Sequence, residues 1–252
     1  MPDKSKILEW IKEAETTGIT LPAEIPKRIY DEKLVAWLDI LGMREEIRLS
    51  DDAEEIFMVM KKLQNYVEDS CEPLYAKGLL NYLQISDGFI VIADLSCINE
   101  LCNILCQIQW QVLVYSQRLL RGALTAGKVS MTEDSRLIIG PAFIEAFAME
   151  SENAIFPRIL FASEIKQYIS DEHLTFQYIK EDSDHFFYLD FLKCAIEKEE
   201  YSSRDLNHLM QTQGVKRVIK ESYEKHIHSK KSIAQKYGWL IAKLRENKVK
   251  II

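Results

Sequence analysis

At 252 residues, 47% hydrophobic and 28% charged, the chain has the make-up of an ordinary soluble globular protein, long enough for one large domain or a domain with an appendage. No run approaches eighteen apolar residues, so no transmembrane helix is expected, and MPDKSKILEWIKEAE mixes both charge signs where a signal peptide has an apolar core; the expectation is a cytoplasmic protein with no membrane partner. The net charge of −7 speaks against nucleic acid as the main partner, although eleven basic residues against three acidic ones from Gly214 onward make the tail locally basic.

In chain order, Ile7, Leu8, Trp10, Ile11 and Ala14 lie on one helical stripe over residues 5–15, with Ser5 as N-cap. ITLPAEIP breaks that pattern with two prolines, giving an N-terminal helix and linker over residues 1–30. Leu34 to Leu41 reads as a strand buried on both faces. A helix follows from about Asp52 to Val67, with Ile56, Val59, Met60 and Leu63 at helical spacing. LLNYLQIS and FIVIADL flank Asp87-Gly88, a two-residue hairpin signal. Residues 96–118 form a long helix, apolar nearly all round and therefore expected to be buried. It carries Cys97, Cys102 and Cys106, which have no His or further Cys pair close in sequence and are read as core-packing side chains. LLRGALTAG is a strand, VSMTEDSRLIIG a hairpin arm turning near Glu133-Asp134, GPAFIEAFAMESENA a helix with Pro141 in its first turn, and PRILFA a further strand.

The resulting order, β-α-β-β-α-β-(β)-α-β, predicts an α/β (α+β) ferredoxin-like sandwich with a central, mostly antiparallel sheet packed by helices. It occupies residues 31–163, followed over 164–252 by a mainly helical extension with FFYLDFL as an apolar patch.

In VAWLDILGM the buried strand runs into Asp39. An unpaired carboxylate there is costly unless hydrogen bonds, an arginine or a metal ion neutralise it. Asp87, on the neighbouring hairpin, would complete a pair of oxygen ligands for Mg²⁺ or Mn²⁺. Gly42 lets backbone N–H groups approach a phosphate, and Arg121 of LLRGAL, on an adjacent strand, can take up phosphate charge. Together these are the parts needed for phosphoryl transfer on a nucleoside triphosphate. The competing reading makes Asp39 the cap of a helix at 43–49, Asp87 a turn residue, and Arg121 the partner of one of them.

WLDILGM also resembles the FxDIxGF motif of class III nucleotide cyclases, and QISDGFIVI their second metal-binding motif. LLRGALTAG resembles the RxGxxxG strand and GPAFIEAFAME the glycine-led helix after it. Within that family the chain is similar to the pyrimidine nucleotide cyclases of bacterial Pycsar antiphage defence, through these motifs and through Ala154-Ile155-Phe156-Pro157-Arg158-Ile159. The resemblance covers about residues 33–163 and, more loosely through FFYLDFL and KYGWL, 185–245.

The resemblance implies a class III cyclase sandwich in which Asp39, Asp87 and the Ile40 carbonyl hold two divalent metal ions (Mg²⁺ or Mn²⁺) and Arg121 contacts the triphosphate. It implies a homodimer with composite active sites at the interface, a product of cUMP or cCMP from UTP or CTP, and a separate effector protein that reads the cyclic nucleotide. The chain departs from the purine cyclases at Leu83, Leu137, Ile144 and Ala148, where those enzymes carry polar base-reading and transition-state residues. Either another base is selected by other side chains, or the site binds without turnover; a different two-metal nucleotidyltransferase is a third reading. Trp37, Met43 and Tyr82 lie close in sequence to the motifs and are equally suited to the core. Arg158 and Lys236 are candidate triphosphate contacts, with plain surface charge as the competing reading, while Glu145 and Glu150 are explained by solvent or dimer contacts. His226 and His228 point apart on a helix and share no metal.

Overall fold

The computed structural model describes residues 30–132, 137–169, 177–198 and 203–251. The expected helix over 5–15 and the turn at Glu133-Asp134 lie outside the described residues. The first strand, β1 (Asp31–Leu41), buries Leu34 through Leu38 without a break, because layers of helix cover it on both sides. It pairs antiparallel with both β3 (Gly88–Asp94) and β4 (Leu119–Met131). With β2 (Leu80–Ile85) and β6 (Ile159–Phe161) the sheet order reads β2-β3-β1-β4-β6, whose first four strands are the expected ferredoxin-like core. β6 runs parallel to β4.

Three helices cover one face: α1 (Met43–Leu49), α2 (Ala53–Tyr75) and α3 (Ile98–Ser116). Leu63, Val67 and Cys71 of α2 and Leu101, Leu105 and Ile108 of α3 meet Leu34, Ala36, Leu38 and Ile40 of β1 in one cluster, which also holds Cys97, Cys102 and Cys106. Asp52 caps α2 by accepting hydrogen bonds from the Glu54 and Glu55 N–H groups. The helix outruns its expected end at Val67 because Ser70, Cys71 and Leu74 continue the buried stripe, and Pro73 falls only in its final turn. On α3, buried Gln109 donates to the Leu120 and Pro157 carbonyls at 3.0 and 2.9 Å, tying together the starts of β4 and β6. The other face is covered by α4 (Pro141–Asn153), whose Ala142 and Ala146 pack on Val35, Trp37, Ile90 and Ile92. A two-residue strand, β5 (Ile138–Ile139), pairs antiparallel with Ser130 and Met131 just before α4.

The β2–β3 turn is Ser86-Asp87, one residue earlier than expected, with Ile85 and Gly88 as the closing pair. Ser86 takes the positive φ of 56°. Gly88 is glycine for a different reason: a Cβ there would lie 2.6 Å from the Trp37 indole. The C-terminal extension adds β7 (Ile179–Glu181) and β8 (Phe187–Leu189) to the sheet beyond β6, then α5 (Phe191–Lys198), α6 (Ser203–Thr212), α7 (Val215–His226) and α8 (Lys231–Glu246). Its Leu192, Leu206, Met210, Ile219, Leu240 and Leu244 join the same cluster as β1. Among the described residues no helix is long and apolar enough to cross a membrane.

Close strand packing makes one glycine testable. A Cβ on Gly122 would stand 2.5 Å from the Trp37 carbonyl oxygen and 2.8 Å from Leu38 Cδ2, so β1 and β4 would have to part. Gly122→Ala should cost about 1–3 kcal/mol and lower the melting temperature by several degrees. Gly238→Ala, inside α8 with its nearest neighbour the Tyr223 ring at 3.4 Å, should hold or raise it. Equal effects in calorimetry would contradict this packing.

Candidate active site

Alternation along β1 sends Asp39 to the face that α4 covers, two residues beyond Trp37. The ladder sets Asp39 opposite Gly88, beside Asp87, and opposite Arg121 on the other flank. Three residues singled out from sequence thus converge at one end of the central strands. Arg121 Nε donates to Asp39 Oδ2 at 3.0 Å, and its Nη1 donates to the Ala154 carbonyl at 3.1 Å. The same Nε lies 2.6 Å from Oε1 of Glu150, a side chain only 3% exposed. The Nε–H is directed at Asp39, and Glu150 Oε1 is left buried without a hydrogen bond of its own.

Glu150 therefore belongs to the site and not to a solvent-facing surface. It is the third member of the buried series Ala142, Ala146, Glu150, spaced one turn apart along α4. That series was readable in the sequence: a buried helical stripe ending in a carboxylate poses the same question as the buried strand reaching Asp39.

Burial pushes the Asp39 carboxyl above its usual range; Arg121 opposes this, Asp87 adds to it, and Arg44 of α1 opposes it. Glu150 is raised in the same way, by burial first and against the pull of Arg121, with Asp39 repelling it and the Trp37 indole N–H stabilising its ionised form. Lys236 of α8 is near enough to feel the charges of this cluster. Burial and then repulsion from Arg121 hold its ammonium below the usual lysine range, while Asp39 and Glu150 pull the other way.

The remaining expected residues divide. Gly42, with φ 88°, ends β1 and caps α1 with open space where a Cβ would be, so the residue preceding α1 is the glycine and Asp39 caps nothing. The other parts of the competing reading are present: Arg121 pairs with Asp39, and Asp87 sits in the turn. The Ile40 side chain points to the opposite face, into the core. Arg158 is not at the site: fully buried, it is bound to Asp182 at 2.6 Å and to Asp184. Met43 is core, and Tyr82 sets its ring against Tyr75. Trp37 is a wall of the α4 layer, with its ring edge-on to Phe143 and Phe147. Leu137 and Ile144 are exposed.

The donor chemistry suits a hard divalent cation. Asp39 keeps Oδ1 outside its pairing with Arg121, and Asp87 has no hydrogen bond or ion pair among the described residues. Among the described residues no three Asp, Glu, His or Cys side chains form a metal cluster. Mg²⁺ held by one or two carboxylates commonly completes its shell with water and substrate phosphates.

No protein-family model and no curated protein matches the sequence. Solved structures do match. Over 64% of its length the chain superimposes on 95% of the monomeric guanylyl cyclase domain of the RhoGC fusion protein from the aquatic fungus Blastocladiella emersonii, at 14% identity and a TM-score of 0.52. The chain has the fold of a nucleotide cyclase domain. A second match, 66% of this chain on 98% of the catalytic core of a rhodopsin-guanylyl cyclase with converted specificity solved with ATPαS, has 12% identity and a TM-score of 0.50. A third is a bacterial light-regulated adenylyl cyclase, of which the chain spans 64% at 12% identity and a TM-score of 0.50. The sheet and its two helical layers are thus the class III cyclase sandwich expected from the sequence.

The raised carboxyls predict a pH signature. With folded-state values above the unfolded ones, the folded chain binds more protons in that window, and stability falls as pH rises through it. Glu150→Gln removes one such group. Its melting temperature relative to the parent should climb as pH rises from the ordinary carboxylate range upward. A constant offset across that range would show that Glu150 does not titrate as described.

Proposed function

We propose that the protein is a metal-dependent nucleotide cyclase that converts a pyrimidine nucleoside triphosphate, UTP or CTP, into the 3′,5′-cyclic monophosphate and pyrophosphate. The observation that carries this reading is the convergence of Asp39, Asp87 and Arg121 at one end of the sheet in a cyclase fold. Asp39 and Asp87, with the Ile40 carbonyl, would hold two divalent ions, Mg²⁺ or Mn²⁺. Such ions supply acidification of the ribose 3′-hydroxyl and neutralisation of the triphosphate. Arg121 favours the charged form of Asp39 and aims it, and its guanidinium lies beside the place the phosphates would take. The turn at Gly42 offers backbone N–H groups to the same phosphates. The 3′-oxygen forms its bond to the α-phosphorus as the bond to pyrophosphate breaks.

The pyrimidine assignment is supported by the resemblance and by the positions at which the chain departs from the purine cyclases. Leu83, Leu137, Ile144 and Ala148 offer no side-chain hydrogen bond to a purine. Leu137 just before β5, Ile139 of β5, and Ile144 and Phe147 of α4 are exposed apolar side chains, between 47% and 67% exposed, suited to burial against a second copy. A homodimer with its two sites at that interface follows, and the cyclic product would act on a separate effector in antiphage signalling. The rival is a binding module without turnover, favoured by Asp39 being already neutralised by Arg121.

Incubation with ATP, GTP, CTP and UTP plus Mn²⁺ decides between them. A cyclic product from CTP or UTP should fall at least 100-fold in Asp39→Ala and in Asp87→Ala. Dominant cAMP or cGMP would keep the reaction and overturn the pyrimidine, and a folded dimer with no product from any of the four would favour the binding module. Phe147→Glu should shift sedimentation from dimer to monomer; an unchanged dimer would place the interface elsewhere.

A further inference from the structure

We propose that Lys236, delivered by the C-terminal extension, is the phosphate-binding cation of this site, and that a buried Arg158–Asp182 clamp docks α8 so as to put it there. The inference rests on the cyclase reading for the identity of the phosphates, but not for the geometry.

The clamp begins with Trp239, one turn beyond Lys236. Its ring stacks on Phe156 at 5.8 Å with only 8° between planes, and meets the Tyr188 edge at 5.7 Å. Its indole N–H donates to Asp182 Oδ2 at 2.6 Å. Asp182 also receives Arg158 Nη1 at 2.6 Å and lies 3.5 Å from Lys243 Nζ, a turn further along α8. Arg158 is fully buried and carries the anchor into the core: its carbonyl accepts the Gly122 N–H at 3.1 Å, next to Arg121. Trp239 also packs on the small cluster of Ala123, Ala154, Leu160 and Tyr188. Ala123 follows Arg121 on the same face of β4, and Ala154 supplies the carbonyl that Arg121 Nη1 binds. The helix therefore packs on Ala154, whose carbonyl Arg121 binds.

The two cations at this place are in different states. Arg121 is committed to Asp39, Glu150 and a carbonyl. Lys236 is half-buried, close enough to feel Arg121, Asp39 and Glu150, yet among the described residues no carboxylate lies within ion-pair distance of its ammonium. A desolvated ammonium that is repelled by a neighbouring guanidinium and lacks its own counter-charge is suited to a multiply charged anion between the two. A triphosphate is such an anion, and on the cyclase reading it lies beside Asp39.

Binding can be measured apart from catalysis. Calorimetric titration of the full chain with CTP, UTP and inorganic triphosphate, each with Mg²⁺, should show Lys236→Met weakening all three by about 10-fold to 100-fold. Lys236→Arg should restore most of the loss. In turnover Lys236→Met should raise KM more than it lowers kcat. Trp239→Phe keeps an aromatic ring but loses the bond to Asp182, and should weaken triphosphate binding while the protein stays folded by circular dichroism. Unchanged affinity in folded Lys236→Met overturns the assignment even if cyclic product is made. Weakened affinity supports it even if no nucleotide is turned over. Unchanged affinity in folded Trp239→Phe overturns the docking role of the clamp.

Discussion

Everything at the working end of this molecule depends on one guanidinium. Arg121 stands between two carboxylates, Asp39 of β1 and Glu150 of α4, and touches the carbonyl that follows α4. Taking three charges partly out of water is costly, and their mutual attraction only roughly repays it. The cluster is therefore a poor source of stability and a good source of position. It fixes the last turn of α4 to the ends of β1 and β4, and Arg121 works against the burial that raises both carboxyls. Truncating Arg121 would leave two acids without a counter-charge, so this residue joins folding to function.

The layers around that cluster explain why it can exist. β1 is covered on both faces, so its inner residues are apolar from Leu34 to Leu38, and polarity returns only where the α4 layer ends. Trp37 closes the layer against Phe143, Phe147 and the bare backbone of Gly88. Beyond it come Asp39 and the turn that carries Asp87. The extension after β6 is continuous with this architecture. Two of its strands lengthen the sheet, its helices feed the core beneath α3, and Trp239 of α8 packs across β4, β6 and β8.

Much of this was legible in the sequence because it is written in local periodicity and turns. The buried run of β1, the apolar helix α3, the hairpin and the Pro141 helix start all have signals a few residues long. Asp39, Asp87 and Arg121 could be paired because adjacent strands carry them in a simple topology. Arg158 was misjudged because a buried arginine and a surface one look alike until Asp182 and Asp184, more than twenty residues away, are folded onto it. Glu150 and Lys236 reach the site through packing of helices distant in sequence. Their only local trace is a charge on an otherwise apolar stripe: Glu150 after Ala142 and Ala146, and Lys236 between Ile233 and Leu240. The hairpin turn was misplaced by one residue because Gly88 answers to the Trp37 ring and not to turn geometry.

The central claim is that Asp39, held by Arg121, anchors a divalent ion together with a triphosphate. Electron paramagnetic resonance of Mn²⁺ titrated into the protein with CTP or UTP tests it most directly. The account predicts saturable Mn²⁺ binding that strengthens when triphosphate is present and is weakened at least tenfold in Asp39→Asn, which keeps the shape and removes the charge. Mn²⁺ binding that is indifferent to both triphosphate and Asp39→Asn would contradict it.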